Sequence, residues 1–193
     1  MQISKRLNQI TEIIAGYTFR GAIEKNPNGS VSVLQAKNIR EDLFLNDAGL
    51  TKTSIVTSHT KAFVQTGDVV ISSRGFFRAA VFKTDQTVLA ASSVYLLRIK
   101  DSAVLLPEYL GIYLNSVAGQ RNLSQFLTTG TIRTLLKKDL EKISLPVPSI
   151  EKQKQIIRLD ENVRQQALLV NRKVAAQKNV LNGILNQLER SPS

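Results

Sequence analysis

His59, Asp68, Ser72 and Ser73 lie close together in the chain and are the residue types of a Ser–His–Asp hydrolase, in which a base-activated hydroxyl attacks a carbonyl. A nucleophile elbow also needs glycines two positions before and two after the serine. Gly75 is two after Ser73, but Ile71 stands two before it. Serines at the end of an apolar run more simply satisfy backbone groups where a strand finishes. Phosphate binding fares no better, because Gly16-Tyr-Thr-Phe-Arg-Gly21 is followed by Ala22 and Ile23 where a phosphate loop needs Lys and Ser or Thr. The 15 carboxylates show no paired spacing that marks an acid and a base, and no helical His-Glu-x-x-His occurs. One histidine and no cysteine are too few for a metal centre built on those ligands. The expectation is therefore a chain with no catalytic residues and no metal of its own.

The residues do support recognition. Arg can form paired hydrogen bonds to guanine, Asn and Gln can do so to adenine, and Ser or Thr can hold phosphate oxygens. Such groups recur at turns: Arg20; Lys37, Asn38 and Arg40; Ser72, Ser73, Arg74 and Arg78; Thr129, Thr131 and Arg133. Each alone is an ordinary solvated residue. Together they sit in a chain of net charge +11, with 18 Lys and Arg against 11 Asp and Glu (+7) in residues 1–150 and 8 against 4 (+4) in residues 151–193. Excess positive charge on the globular part calls for a polyanionic partner, most simply nucleic acid. No basic tail or low-complexity tract is present, so the binding surface must come from folded structure.

The elements that must position these groups follow from the pattern. Residues 1–147 form one domain and 148–190 a long helix, with 42% hydrophobic residues in the 193-residue chain and no apolar run of the roughly 18–20 residues that cross a bilayer. Absent cysteine fits a reducing cytoplasm. Leu7, Ile10, Ile13 and Ile14 are spaced as a short helix, or a helix running into a strand. Asn26-Pro-Asn-Gly29 is a turn, and Val31 and Val33 alternate as a strand after it. Residues 41–62 read as a polar loop with a short strand near Ile55-Val56. Val69–Ile71, Ala79–Phe82 and the segment Val88–Ile99 supply strands of a mostly antiparallel sheet. Pro107 starts a helix whose apolar face is Leu110, Tyr113, Leu114 and Val117. The class is α+β: a β-rich domain with short helices, then a coiled-coil helix.

That helix begins where Pro146 and Pro148 hold the chain extended, Ser149 caps, and Glu151 meets the positive helix end. Apolar residues then follow a 4-3 spacing along two rows. One is Ile156, Val163, Val170, Gln177, Ile184 and the other Asp160, Ala167, Val174, Leu181, Leu188. A stripe that long predicts a partner helix, with Asp160 and Gln177 setting register.

The ordered set of segments resembles half of a DNA-specificity subunit of a type I restriction–modification system. The segments are Leu7 to Phe19, Lys37-Asn-Ile39, Gly67-Asp-Val-Val-Ile-Ser-Ser-Arg-Gly75, Pro107-Glu-Tyr-Leu110 with Leu114-Asn-Ser116, Gly130-Thr-Ile-Arg133, and above all Leu145-Pro-Val-Pro-Ser-Ile-Glu-Lys-Gln153. The resemblance implies a target recognition domain that reads one half of a split site in double-stranded DNA, followed by a spacer helix. It implies adenine-N6 methyltransferase partners that hold S-adenosylmethionine, and restriction subunits that can join for ATP-dependent cleavage in phage defence. Full members of that family carry two domains and two helices packed antiparallel, whereas one of each is present here. A homodimer through Ile156, Val163, Ala167, Val170, Val174, Leu181, Ile184 and Leu188 would restore the pair. A fragment of a longer chain is the other reading of the single copy. The methyltransferase motif itself is missing, since Asn26-Pro27 is followed by Asn28. The competing function is a helical assembly subunit that reads no bases.

Overall fold

The computed structural model describes residues 3–40, 42–55, 57, 60–126 and 133–190. The chain divides into two compact units, Met1–Lys154 and Gln155–Ser193. Strand β1 (Ile3–Arg6) runs straight into a one-turn helix α1 (Leu7–Ile10) and then into β2 (Thr11–Ala15). The helix expected near the start is thus a single turn, ended by Thr11, whose hydroxyl donates to the Leu7 carbonyl at 2.8 Å. The Asn26–Gly29 turn closes as expected, with Gly29 N–H donating to Asn26 O at 2.9 Å. Strand β3 (Val31–Leu34) and a 3-10 turn at Ala36–Asn38 follow.

Within 41–62 lie β4 (Phe44–Leu45) and β5 (Thr51–Thr53), then a 3-10 turn at Thr60–Ala62. The strand expected near Ile55 forms earlier, because Thr51–Thr53 pairs with β3 and buries Thr53. Val56 lies outside the described residues. β6 (Val69–Ser72) and β7 (Ala79–Phe82) come next. The segment 88–99 splits into β8 (Val88–Ala90) and β9 (Val94–Ile99) at a turn closed by Val94 N–H to Ala91 O, 2.9 Å. Helix α2 (Pro107–Asn115) has proline at its first position as expected, and α3 (Val117–Ser124) follows. Val117 does not join the α2 face. Ser116 ends that helix and caps α3 by accepting from Gly119 N–H at 3.1 Å, leaving Val117 79% exposed. A one-turn helix α4 (Lys137–Leu140), strand β10 (Ser144–Val147) and α5 (Ile150–Arg190) complete the chain. No helix of the described residues is long and apolar enough to cross a membrane.

Among the described residues the strands form three sheets: β2-β9-β6-β7-β4, β5-β3-β8, and the pair β1-β10. Pairing is antiparallel except for β3 with β8 and β4 with β7, which are parallel. Proline is tolerated at Pro146 because β10 pairs only with β1, an edge position. The main core joins Ile14, Leu34, Val70, Phe82, Val88 and Leu96, residues from strands of both larger sheets. On the other face of β7, α2 approaches so closely that a Cβ on Gly111 would lie 2.8 Å from Leu43 and 3.6 Å from Val81. Covered on both sides, β3, β6 and β7 are buried at every residue rather than at alternate ones.

Two polar groups lock this frame. The Asp68 carboxylate, 2% exposed, accepts two parallel bonds from Arg98 at 2.9 and 2.8 Å and a third from Gln65 N–H at 2.8 Å. Arg98 also donates to Phe63 O at 3.1 Å, and the Asp68 bond holds its guanidinium above the usual pKa against the opposing effect of burial. Gln153, fully buried, accepts from Leu106 N–H at 2.9 Å and donates to Val104 O at 2.8 Å and Pro148 O at 2.9 Å. The start of α5 is thereby fastened to the segment ahead of α2, in addition to the Ser149 cap, whose hydroxyl accepts from Lys152 N–H at 3.4 Å. Gln153→Ala removes the partner of three part-buried backbone groups and should cost about 2–4 kcal/mol in chemical denaturation. An unchanged midpoint would show that water replaces the amide.

Candidate nucleic-acid interface

Strand β6 ends at Ser72, and the chain then turns through 73–78 before returning as β7. Gly75 makes the turn possible, with φ of 76°, a conformation side chains other than glycine rarely adopt. The serines inside the turn are buried. Ser72 Oγ donates to Phe76 O, and Ser73 Oγ donates to Ser92 O at 3.2 Å. Asp68 is committed to Arg98, and the two serines hold the loop. His59 lies outside the described residues. Ser72 and Ser73 must therefore be moved from the expected contact set to the loop's bracing.

Asn115, the last residue of α2, accepts from Ala79 N–H at 2.9 Å and donates to Ala79 O at 2.7 Å, pinning the start of β7. Gln120 on α3 donates to Phe77 O at 2.7 Å and so grips the loop from the same side. A second segment joins it: Gly75 N–H donates to Arg133 O at 3.0 Å, Leu135 N–H to Ser73 O at 3.0 Å, and Arg74 bridges Thr134. The Tyr95 hydroxyl donates to Leu135 O at 3.1 Å; burial pushes this phenol's pKa up, which keeps the donor protonated.

On this frame the structure gathers most of the expected basic residues. A cleft of about 370 Å³ is lined by Arg40, Phe76, Phe77, Arg78, Asn115 and Gln120. A neighbouring one of about 310 Å³ is lined by Lys37, Arg40, Arg74, Phe76 and Arg78 among others. Lys37, Arg40, Arg74 and Arg133 are exposed, and Arg78 is half-buried with its guanidinium 5.6 Å from the centre of the Phe76 ring. Asn38 stands beside them on a third cleft, although its Oδ1 accepts from Gln35 N–H at 2.9 Å to close the 3-10 turn. Arg20 is exposed but lines none of these three clefts. Thr129 and Thr131 lie outside the described residues. Phe76, 81% exposed, was missed by sequence reasoning because an aromatic after Gly75 reads as core. Its signal in the sequence was its place between Arg74 and Arg78.

Helix α5, at about 1.5 Å per residue, is roughly 60 Å long over its 41 residues. Ile156 is half-buried, and along the rest of the stripe Val163, Ala167, Val170, Val174, Leu181 and Ile184 are all exposed. The Leu188 side chain lies outside the described residues. Asp160 accepts from Arg164 at 2.7 Å, an i,i+4 pair along the helix.

Comparison with curated proteins returned no match. Among solved structures, a chain from a study of complex assembly and conformational transition of the type I R-M system superposes with TM-score 0.70 at 22% identity, covering 94% of this chain and 43% of that one. An HsdS subunit from Thermoanaerobacter tengcongensis gives TM-score 0.65 at 22% identity, with 96% and 44% covered. A type I S subunit from M. genitalium gives 0.56 at 16%, with 92% and 44% covered. These likenesses carry the fold, and the chain spans less than half the length of the structures it matches. A family profile described as the type I restriction modification DNA specificity domain matches residues 3–174, which cover the arginine-lined loops and more than half of α5. The chain belongs to the type I restriction modification DNA specificity domain family.

Proposed function

We propose that this chain reads DNA sequence for a type I restriction–modification complex, presenting Arg40, Arg74, Arg78 and Arg133 to one half of a bipartite site. What carries this reading is the convergence of separate segments, at 37–40 and 74–78, on adjoining clefts with basic rims, with the Arg133 carbonyl bonded to Gly75 N–H beside them. Arginine forks suit both phosphate oxygens and the O6/N7 edge of guanine. Lys37 fits a phosphate contact, which sets position without reading sequence. The uncovered stripe of α5 supports pairing with a second helix, in a homodimer through antiparallel helices, which would read a symmetric interrupted site. Adenine-N6 methyltransferase subunits, carrying S-adenosylmethionine, and ATP-dependent restriction subunits are the partners that follow from the family, and phage defence in a prokaryotic cytoplasm is the setting. A helical assembly subunit would use the stripe but has no use for the clefts.

Selection from a randomised duplex library with the full chain should return a preferred sequence. Arg74→Ala or Arg133→Ala should then relax preference at one position by about 1–3 kcal/mol, while Lys37→Ala weakens all sequences alike and flattens the salt dependence. Steep salt dependence with no preferred sequence would instead mean charge neutralisation without base reading, and the proposal would fail.

A further inference from the structure

We propose that Phe76 is a base-reading residue whose ring packs against the 5-methyl group of a thymine in the major groove. The inference deepens the DNA-reading proposal above and rests on it. Phe76 is 81% exposed, whereas its chain neighbour Phe77 is 5% exposed and Phe82 fully buried. A single exposed phenylalanine on an arbitrary surface would need no explanation. Phe76 is not on an arbitrary surface. It lies on both basic clefts and follows Gly75, whose positive φ turns the backbone just before it.

The groups around the ring narrow what it can meet. Asn115 has both amide groups bonded to Ala79, and Gln120 donates to Phe77 O and Leu114 O, so these amides hold the loop in shape. Among the described residues, the charged side chains lining the two clefts are Lys37, Arg40, Arg74 and Arg78, types suited to phosphates or guanine edges. Arg78 lies 5.6 Å from the Phe76 ring centre and gives the aromatic a charged neighbour. In a duplex the apolar feature displayed in the major groove is the thymine methyl. Wedge insertion between base steps is the habit of minor-groove binders that bend DNA. An apolar tip amid phosphate- and guanine-binding arginines is suited to the methyl.

The test removes that methyl and nothing else. The preferred duplex, identified by library selection with the full chain, is remade with each thymine in turn replaced by uracil. At one thymine, binding by the parent should weaken about fourfold, the loss of one buried methyl-sized group. Phe76→Ala should bind the thymine duplex more weakly and become indifferent to uracil there, and Phe76→Leu should keep part of the discrimination. Because the ring is exposed, both variants should melt as the parent does, which excludes misfolding as the cause. A parent that tolerates uracil at every position, or a Phe76→Ala protein that keeps the parent's uracil penalty, overturns the assignment and leaves DNA reading intact. A parent that selects no sequence overturns both.

Discussion

Arg98→Ala should destabilise the domain by about 3–5 kcal/mol, the usual range when one partner of a buried ion pair is removed. Asp68 is 2% exposed and, among the described residues, its carboxylate would keep the Gln65 N–H alone as a partner. Phe63 O would lose its donor as well. The effect should appear as a lower midpoint in urea with an unchanged slope, since the surface exposed on unfolding stays the same. Arg98→Lys should recover only part of the loss, because an ammonium cannot place two parallel donors on one carboxylate. A midpoint within experimental error of the parent would show that Asp68 finds other partners, and that this pair does not lock β6 to β9.

The second large effect concerns the helix stripe. Val163→Glu together with Val174→Glu should abolish the homodimerisation proposed above while leaving the domain folded. Both side chains are exposed in the single chain, at 57% and 43%, so the charges meet water until two helices pair. Within a paired seam they would be desolvated, costing several kcal/mol. A loss of roughly 3 kcal/mol weakens association more than a hundredfold. Light scattering across a concentration series should give twice 21.4 kDa for the parent and 21.4 kDa for the variant. A parent that stays monomeric at micromolar concentration, or a variant that still dimerises, would remove the stripe from the pairing surface.

Local chemistry made much of this molecule legible. Pro107 opens α2, Ser149 caps α5, Gly29 closes its turn, and the apolar runs at 69–72 and 79–82 are strands, because each signal acts over a few residues. What could not be read depends on distant partners. Asp68 and Arg98 lie thirty positions apart and Gln153 answers to Leu106 across 47, so no window of sequence shows either bond. The same blindness affected the site. Arg74 and Arg133 read as surface groups and are, whereas Ser72 and Ser73 have the same polar look but turn inward because the Phe76 and Ser92 carbonyls stand behind them. Phe76 is the inverse case, an apolar residue left outside because Gly75 reverses the chain just before it.

The pairing of β1 with β10 also bears on how the chain is made. Ile3–Arg6 finds Ser144–Val147 only after nearly the whole domain has been synthesised, a contact of high sequence separation that folds late. The apolar rows of α5 leave the ribosome after that closing strand. The domain can thus complete its β1–β10 pairing before a sticky helix becomes available. Nascent strands and the stripe are then kept apart in time, which limits the misassembly that exposed apolar surface invites during folding.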